Sequence, residues 1–127
     1  MNSREKGAQA ERELSNILKT YGYDTHRGQQ YSGINGDADV VGVPGIHIEC
    51  KRVEAFRDEV AIQQAERDAR KGEIPIVHYR RSRENWKVCM RMNLFYLIWG
   101  ELTDLQKHNI VEKIKFSVKS EKIGKQR

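Results

Sequence analysis

Apolar side chains recur at helical spacing near the N-terminus. Leu14, Ile17, Leu18 and Tyr21 form one stripe, with polar residues between them. This spacing predicts a helix from a Ser3 cap to about Tyr21, stopped by Gly22. The period then shortens. Residues 23–27 read as a short strand, and the glycine-rich segment 28–36 reads as a loop. Residues 38–43 and 46–51 read as two strands joined by a tight turn at Pro44 and Gly45, which makes them a hairpin. A polar amphipathic helix is expected over residues 56–71, closed by Gly72. Strands follow at 75–79 and 86–92, joined by a basic turn, and helical spacing returns beyond Leu94. Helix, three strands, helix, two strands and helix predict an α/β class: one domain with a mixed five-stranded β-sheet flanked by helices. That domain is expected over residues 1–118, with 119–127 a charged tail.

Composition narrows the function. Of 127 residues, 23 are Lys or Arg against 18 Asp or Glu, a formal net charge of +5. A small basic domain generally meets polyanions, nucleic acid above all, although excess Lys also serves solubility alone. No run approaches the roughly 20 apolar residues that span a bilayer, and residues 1–10 lack the apolar core of a signal peptide. No membrane partner and a cytoplasmic location are therefore expected, in the host cytoplasm if the protein is phage-encoded. Cys50 and Cys89 lie in apolar strand-like runs, without C-x-x-C spacing, and are expected to be reduced core residues. The four His, at 26, 47, 78 and 108, show no zinc-ligand spacing.

The strand of residues 46–51 carries the chemistry. Alternation puts Ile46, Ile48 and Cys50 on one face and His47, Glu49 and Lys51 on the other. A hairpin turned at Pro44 and Gly45 brings Asp39 beside Glu49. Two adjacent carboxylates repel unless a cation joins them, and Mg²⁺ takes such oxygen ligands while keeping several waters. A carboxylate-bound metal activates water for phosphodiester cleavage, and a neighbouring Lys can orient that water or neutralise developing charge. The same short pattern also occurs as an ordinary ion pair on a surface hairpin.

Asp39-Val40-Val41 followed by Ile48-Glu49-Cys50-Lys51 resembles the D…(D/E)xK core of the restriction-endonuclease-like (PD-(D/E)xK) nuclease superfamily. KGAQAEREL, from Lys6 to Leu14, resembles the first helix of archaeal-type Holliday junction resolvases. Likeness to that family continues through GYDTHR, GEIPIV and the Trp86 strand, and QQAERDA resembles a phage-type nuclease.

The resemblance implies a restriction-endonuclease-like core and a Mg²⁺-dependent endodeoxyribonuclease, Mn²⁺ substituting, that acts in recombination or repair as a homodimer on four-way junctions. It implies Glu11, Asp39, Glu49 and Lys51 as the catalytic set, with Glu11, Asp39, Glu49 and the Cys50 carbonyl on the metal. Asp39 is preferred over Asp37, on the same strand face, because the apolar pair follows Asp39 directly as in the family. Arg4, Lys6, Arg12, Arg27, Ser32 and Arg52 are expected to hold DNA phosphates. His47 and Gln64 are further candidates near the site, against ordinary roles as a strand-edge residue and a solvated helix face. Glu13 reads as a surface residue, and Arg80, Arg81 and Arg83 as either a second DNA contact or a solvated turn. The competing functions are a non-specific or other branched-DNA nuclease and a non-catalytic DNA-binding module that retains the fold.

Overall fold

The computed structural model describes residues 2–28 and 38–121, with side chains as far as residue 117. The expected loop at 28–36 therefore lies almost wholly outside the described residues. The chain divides into two compact units, residues 1–90 and 91–127. The expected α/β class is observed.

In the first unit, α1 (Ser3–Thr20) opens at the residue expected to cap it. Asn2 is the cap: its backbone is extended, and its side-chain oxygen accepts the Glu5 N–H at 2.9 Å. At the other end Gly22 has φ +98°. The Gly22 N–H reaches the Lys19 carbonyl at 3.0 Å and the Tyr23 N–H reaches that of Leu18 at 3.2 Å, a Schellman closure. Tyr21 is thereby the cap and not the end of the stripe, and it is exposed.

The strands are β1 (His26–Arg27), β2 (Val40–Val41), β3 (Ile46–Arg52), β4 (Ile74–Arg80) and β5 (Lys87–Cys89), side by side in that order in one sheet. β1 and β2 are shorter than expected. Gly42, at φ +118°, crosses so close to the Asp24 carbonyl that an added Cβ would collide with it. The pair β2–β3 is antiparallel in the register Val40 to Ile48, which sets Asp39 opposite Glu49. β3 and β4 run parallel, joined by α2 (Asp58–Asp68), and β5 returns antiparallel to β4. α2 is shorter than the expected 56–71 because Phe56 instead stacks on Tyr79, with centroids 3.8 Å apart, and Ala69 is extended.

The sheet has a core on each face. Ala10, Leu14 and Leu18 of α1 pack on Val40, Ile48 and Cys50. Ala61 and Ala65 of α2 pack on Val77, with Phe56, Tyr79 and Cys89 around them. Full burial of a side chain such as Leu14 or Ile48 contributes roughly 1.5–3 kcal/mol. Two cross-chain anchors orient α1. Thr25 Oγ1 donates to the Ser15 carbonyl at 2.7 Å. Glu13 accepts from Arg80 Nε at 2.8 Å, Arg80 Nη2 at 3.1 Å and Trp86 Nε1 at 2.8 Å. The expectation that Glu13 is a plain surface residue is thus corrected. Burial raises its pKa, but the bonds from Arg80 and Trp86 and the charges of Arg80 and Arg52 outweigh that and hold it below the usual value.

The second unit is a helical pair, α3 (Met92–Gly100) and α4 (Asp104–Glu121). Met92 thus begins a helix where a strand end was expected. Thr103 and Gln106 form a reciprocal capping box at 3.1 and 2.8 Å. α4 continues past residue 118 to Glu121, and the remainder of the expected tail lies outside the described residues.

Candidate active site

β3 is the central strand, and its alternation governs the site. Because α1 covers the face of Ile48 and Cys50, the side chains of His47, Glu49 and Lys51 turn toward α2. His47 is 2% and Glu49 3% exposed, so this second face is buried as well. The expectation of a strand-edge His47 is corrected: the parallel partner β4 and its turn enclose it. His47 Nε2 lies 3.7 Å from Glu49 Oε1, and Nδ1 lies 3.8 Å from Glu73 Oε1. Among the described residues, the buried Nε2 has no hydrogen-bond partner. Burial lowers the His47 pKa, but contact with Glu49 and the charges of Glu49, Glu73 and Asp39 outweigh it and raise the value above normal.

Asp39 reaches the same place from β2. Its Oδ2 accepts the Cys50 N–H at 2.7 Å, and its own N–H donates to the Ile48 carbonyl at 3.1 Å. The Cys50 N–H and C=O turn to one side of the strand, toward β2, whose ladder has ended there. Glu11 arrives from α1, buried, with Arg27 Nε 2.9 Å from its Oε1. Cys50 registers this gathering. Burial pushes its thiol up most, the charges of Asp39, Glu11 and Glu49 push it further, and Lys51 opposes them. The charges of three carboxylates and one ammonium thus act on a single strand residue.

Lys51 Nζ lies 3.6 Å from Glu49 Oε2 and donates to Gln64 Oε1 at 3.0 Å. Gln64, expected as either a site residue or a solvated helix face, is half-buried on α2 and holds the Lys51 ammonium. Of the expected phosphate contacts, Arg4 and Arg12 are exposed on α1, Lys6 is half-buried, and Arg27 is engaged with Glu11. Arg52 is half-buried, with an Nε that lacks a hydrogen-bond partner among the described residues. Asp37 and Ser32 lie outside the described residues. Arg80 is committed to Glu13, and Arg81 Nε donates to the Glu54 carbonyl at 3.0 Å, so the second basic cluster is in part structural. Glu73 was not foreseen. Only the parallel register Ile46 to Ile74 carries it to His47, and that register follows from the β3–α2–β4 crossover.

Among the described residues, no three His, Cys, Asp or Glu side chains form a ready-made metal cage. The donor chemistry nonetheless fits a hard divalent ion. Glu11, Asp39, Glu49 and the Cys50 carbonyl offer oxygen only, and the Cys50 thiol is held protonated. Arg27 provides positive charge beside Glu11 in this arrangement.

No helix among the described residues is long and apolar enough to cross a membrane. None of the curated proteins matches the chain. The model of the family described as Phage putative PDDEXK endonuclease matches residues 2–126, nearly the whole length. The chain therefore belongs to that family and is a PD-(D/E)xK nuclease, one of a metal-dependent group that hydrolyses phosphodiester bonds.

Proposed function

We propose that this protein is a Mg²⁺-dependent endodeoxyribonuclease in which Glu11, Asp39 and Glu49 hold the metal, with the Cys50 carbonyl as a further ligand, and Lys51 acts on the reacting phosphate. The observation that carries this reading is the register that sets Asp39 opposite Glu49, with Asp39 bonded to the Cys50 N–H and the Lys51 ammonium held between Glu49 and Gln64. A bound divalent ion supplies an activated water and relieves charge on the leaving oxygen. Repulsion among the carboxylates favours its capture, and the Asp39 bond to the Cys50 N–H holds that side chain in place. Lys51 spends one donor on Gln64 and keeps others for the phosphate. Exposed Arg4 and Arg12 attract the DNA backbone.

The preferred substrate is branched DNA, and a Holliday junction is the specific proposal. A four-way junction is nearly two-fold symmetric, so paired cuts call for two copies of a chain that carries one acidic site. The apolar α3 run Leu94-Phe95-Tyr96-Leu97-Ile98-Trp99 is the proposed homodimer contact. The nuclease domain is taken as residues 1–118, with 119–127 a charged tail, working in the cytoplasm of a phage host in recombination or repair. Cleavage of a four-way junction, a flap and a linear duplex, each with Mg²⁺ and with EDTA, tests the reading alongside light scattering. Metal-dependent cutting by a dimer, fastest on the junction, is expected. A monomer that nicks all three equally sinks the junction proposal, and no cutting with any metal sinks the enzyme.

A further inference from the structure

Beside Lys51 and Gln64 lies a second feature that the phosphate chemistry does not use. A cleft of about 170 Å³ opens between the end of β3 and the first turns of α2. Val53, Phe56 and Val60 form its walls, Arg57 stands with them, and Lys51 and Gln64 close the end that faces the proposed catalytic group. Val53 and Val60 are 36% and 48% exposed, so apolar surface is held open beside a charged site. The Phe56 ring is braced by its parallel stack on Tyr79, at an interplanar angle of 5°.

We infer that this cleft receives one unstacked base of the DNA substrate, from a nucleotide next to the phosphate that is cut. The inference rests on the nuclease reading and adds a source of substrate choice to it. Continuity identifies the occupant, because Lys51 and Gln64 belong both to the cleft and to the phosphate-facing group. Whatever enters is part of the same polymer. The apolar walls disfavour a charged phosphate and accept a base face, with the Arg57 cation available to the ring or the backbone. The cleft is smaller than the roughly 300–1,000 Å³ of small-molecule sites, which suits one heterocycle and excludes a whole nucleotide. A base inside a perfect duplex cannot reach it without leaving the stack. That step costs least where pairing is already broken, at a branch, flap or single strand. The cleft thus makes branched DNA the better substrate through local unstacking, whatever the number of arms.

The test places 2-aminopurine at successive positions through the branch point of a junction and of a flap. Fluorescence is followed on binding in EDTA, where no cutting occurs. A rise at one position next to the mapped cut is expected for the wild-type protein, and no rise at any position in linear duplex. Val60→Trp and Val53→Trp each fill the cleft from an exposed position. Each is expected to abolish the rise and reduce the branched-over-duplex ratio of kcat/KM roughly tenfold to a hundredfold, while duplex cutting persists. Folded variants that keep both the rise and the ratio overturn the inference, as does a wild type that cuts branched DNA with no rise anywhere. A wild type that gives the rise but cuts nothing with any divalent metal overturns the catalytic reading and supports the cleft. Should either tryptophan variant fail to fold, the wild-type fluorescence scan decides alone.

Discussion

Gln64 is expected to act through Lys51, and a double-mutant cycle exposes that dependence. The perturbation is Gln64→Leu, which keeps the size of a half-buried side chain on α2 and removes the oxygen that Lys51 reaches at 3.0 Å. A hydrogen bond to a charged group is worth about 1.5–3 kcal/mol. Lys51 is 31% exposed and keeps its approach to Glu49 at 3.6 Å, so water and Glu49 recover part of the loss. About 1.4 kcal/mol is left, which is roughly tenfold in rate. Lys51→Ala removes the ammonium outright and is expected to cost on the order of 10²–10³ in the chemical step. In that background Gln64→Leu has nothing left to displace and is expected to change the rate no further. The assay is single-turnover cleavage of end-labelled branched DNA at saturating Mg²⁺, with metal affinity measured separately by calorimetry and expected to persist in both variants. The reasoning is refuted if Gln64→Leu cuts like the wild type, or if it costs the same tenfold with and without Lys51.

Three further outcomes are expected. Asp39→Ala and Glu49→Ala should each lose metal binding in calorimetry and cleavage in gels while retaining DNA, with tighter binding as a negative charge near the phosphates disappears; full activity in Asp39→Ala beside an inactive Asp37→Ala would overturn the ligand assignment. Glu13→Ala strands Arg80, whose side chain is only 13% exposed, and deprives Trp86 of its acceptor, so urea unfolding should show a loss of about 2 kcal/mol; an unchanged midpoint would mean that the anchor is not holding α1. Burial pushes the His78 pKa down to about 4 from 6.5, although its bond to the Ile76 carbonyl opposes this. The fold favours neutral His78 and the unfolded chain takes the proton first, so its contribution is full above pH 6.5 and falls away as pH drops to 4, by about 3 kcal/mol. Denaturant titrations of wild type and His78→Phe should differ in slope across that window, and parallel curves would refute the assignment.

What the chain shows without its fold is what neighbours in sequence decide. The α1 stripe, the Gly22 stop and the turn at Pro44 and Gly45 follow from local periodicity and backbone geometry. That turn also makes the opposition of Asp39 and Glu49 legible, since a short hairpin leaves little freedom of register. Glu11 was visible only through the resemblance of its helix, because no local rule brings α1 to β3. The burial of His47, the arrival of Glu73, the grip of Gln64 on Lys51 and the cleft beside it all depend on the parallel pairing of β3 with β4 and on where α2 lands. The link from Glu13 to Arg80 and Trp86 spans 67 and 73 residues. Alternation along β3 separates its two faces but cannot say that both will be covered. Coverage belongs to the packing of helices from distant parts of the chain, whose favourable contacts arise only once the sheet has assembled.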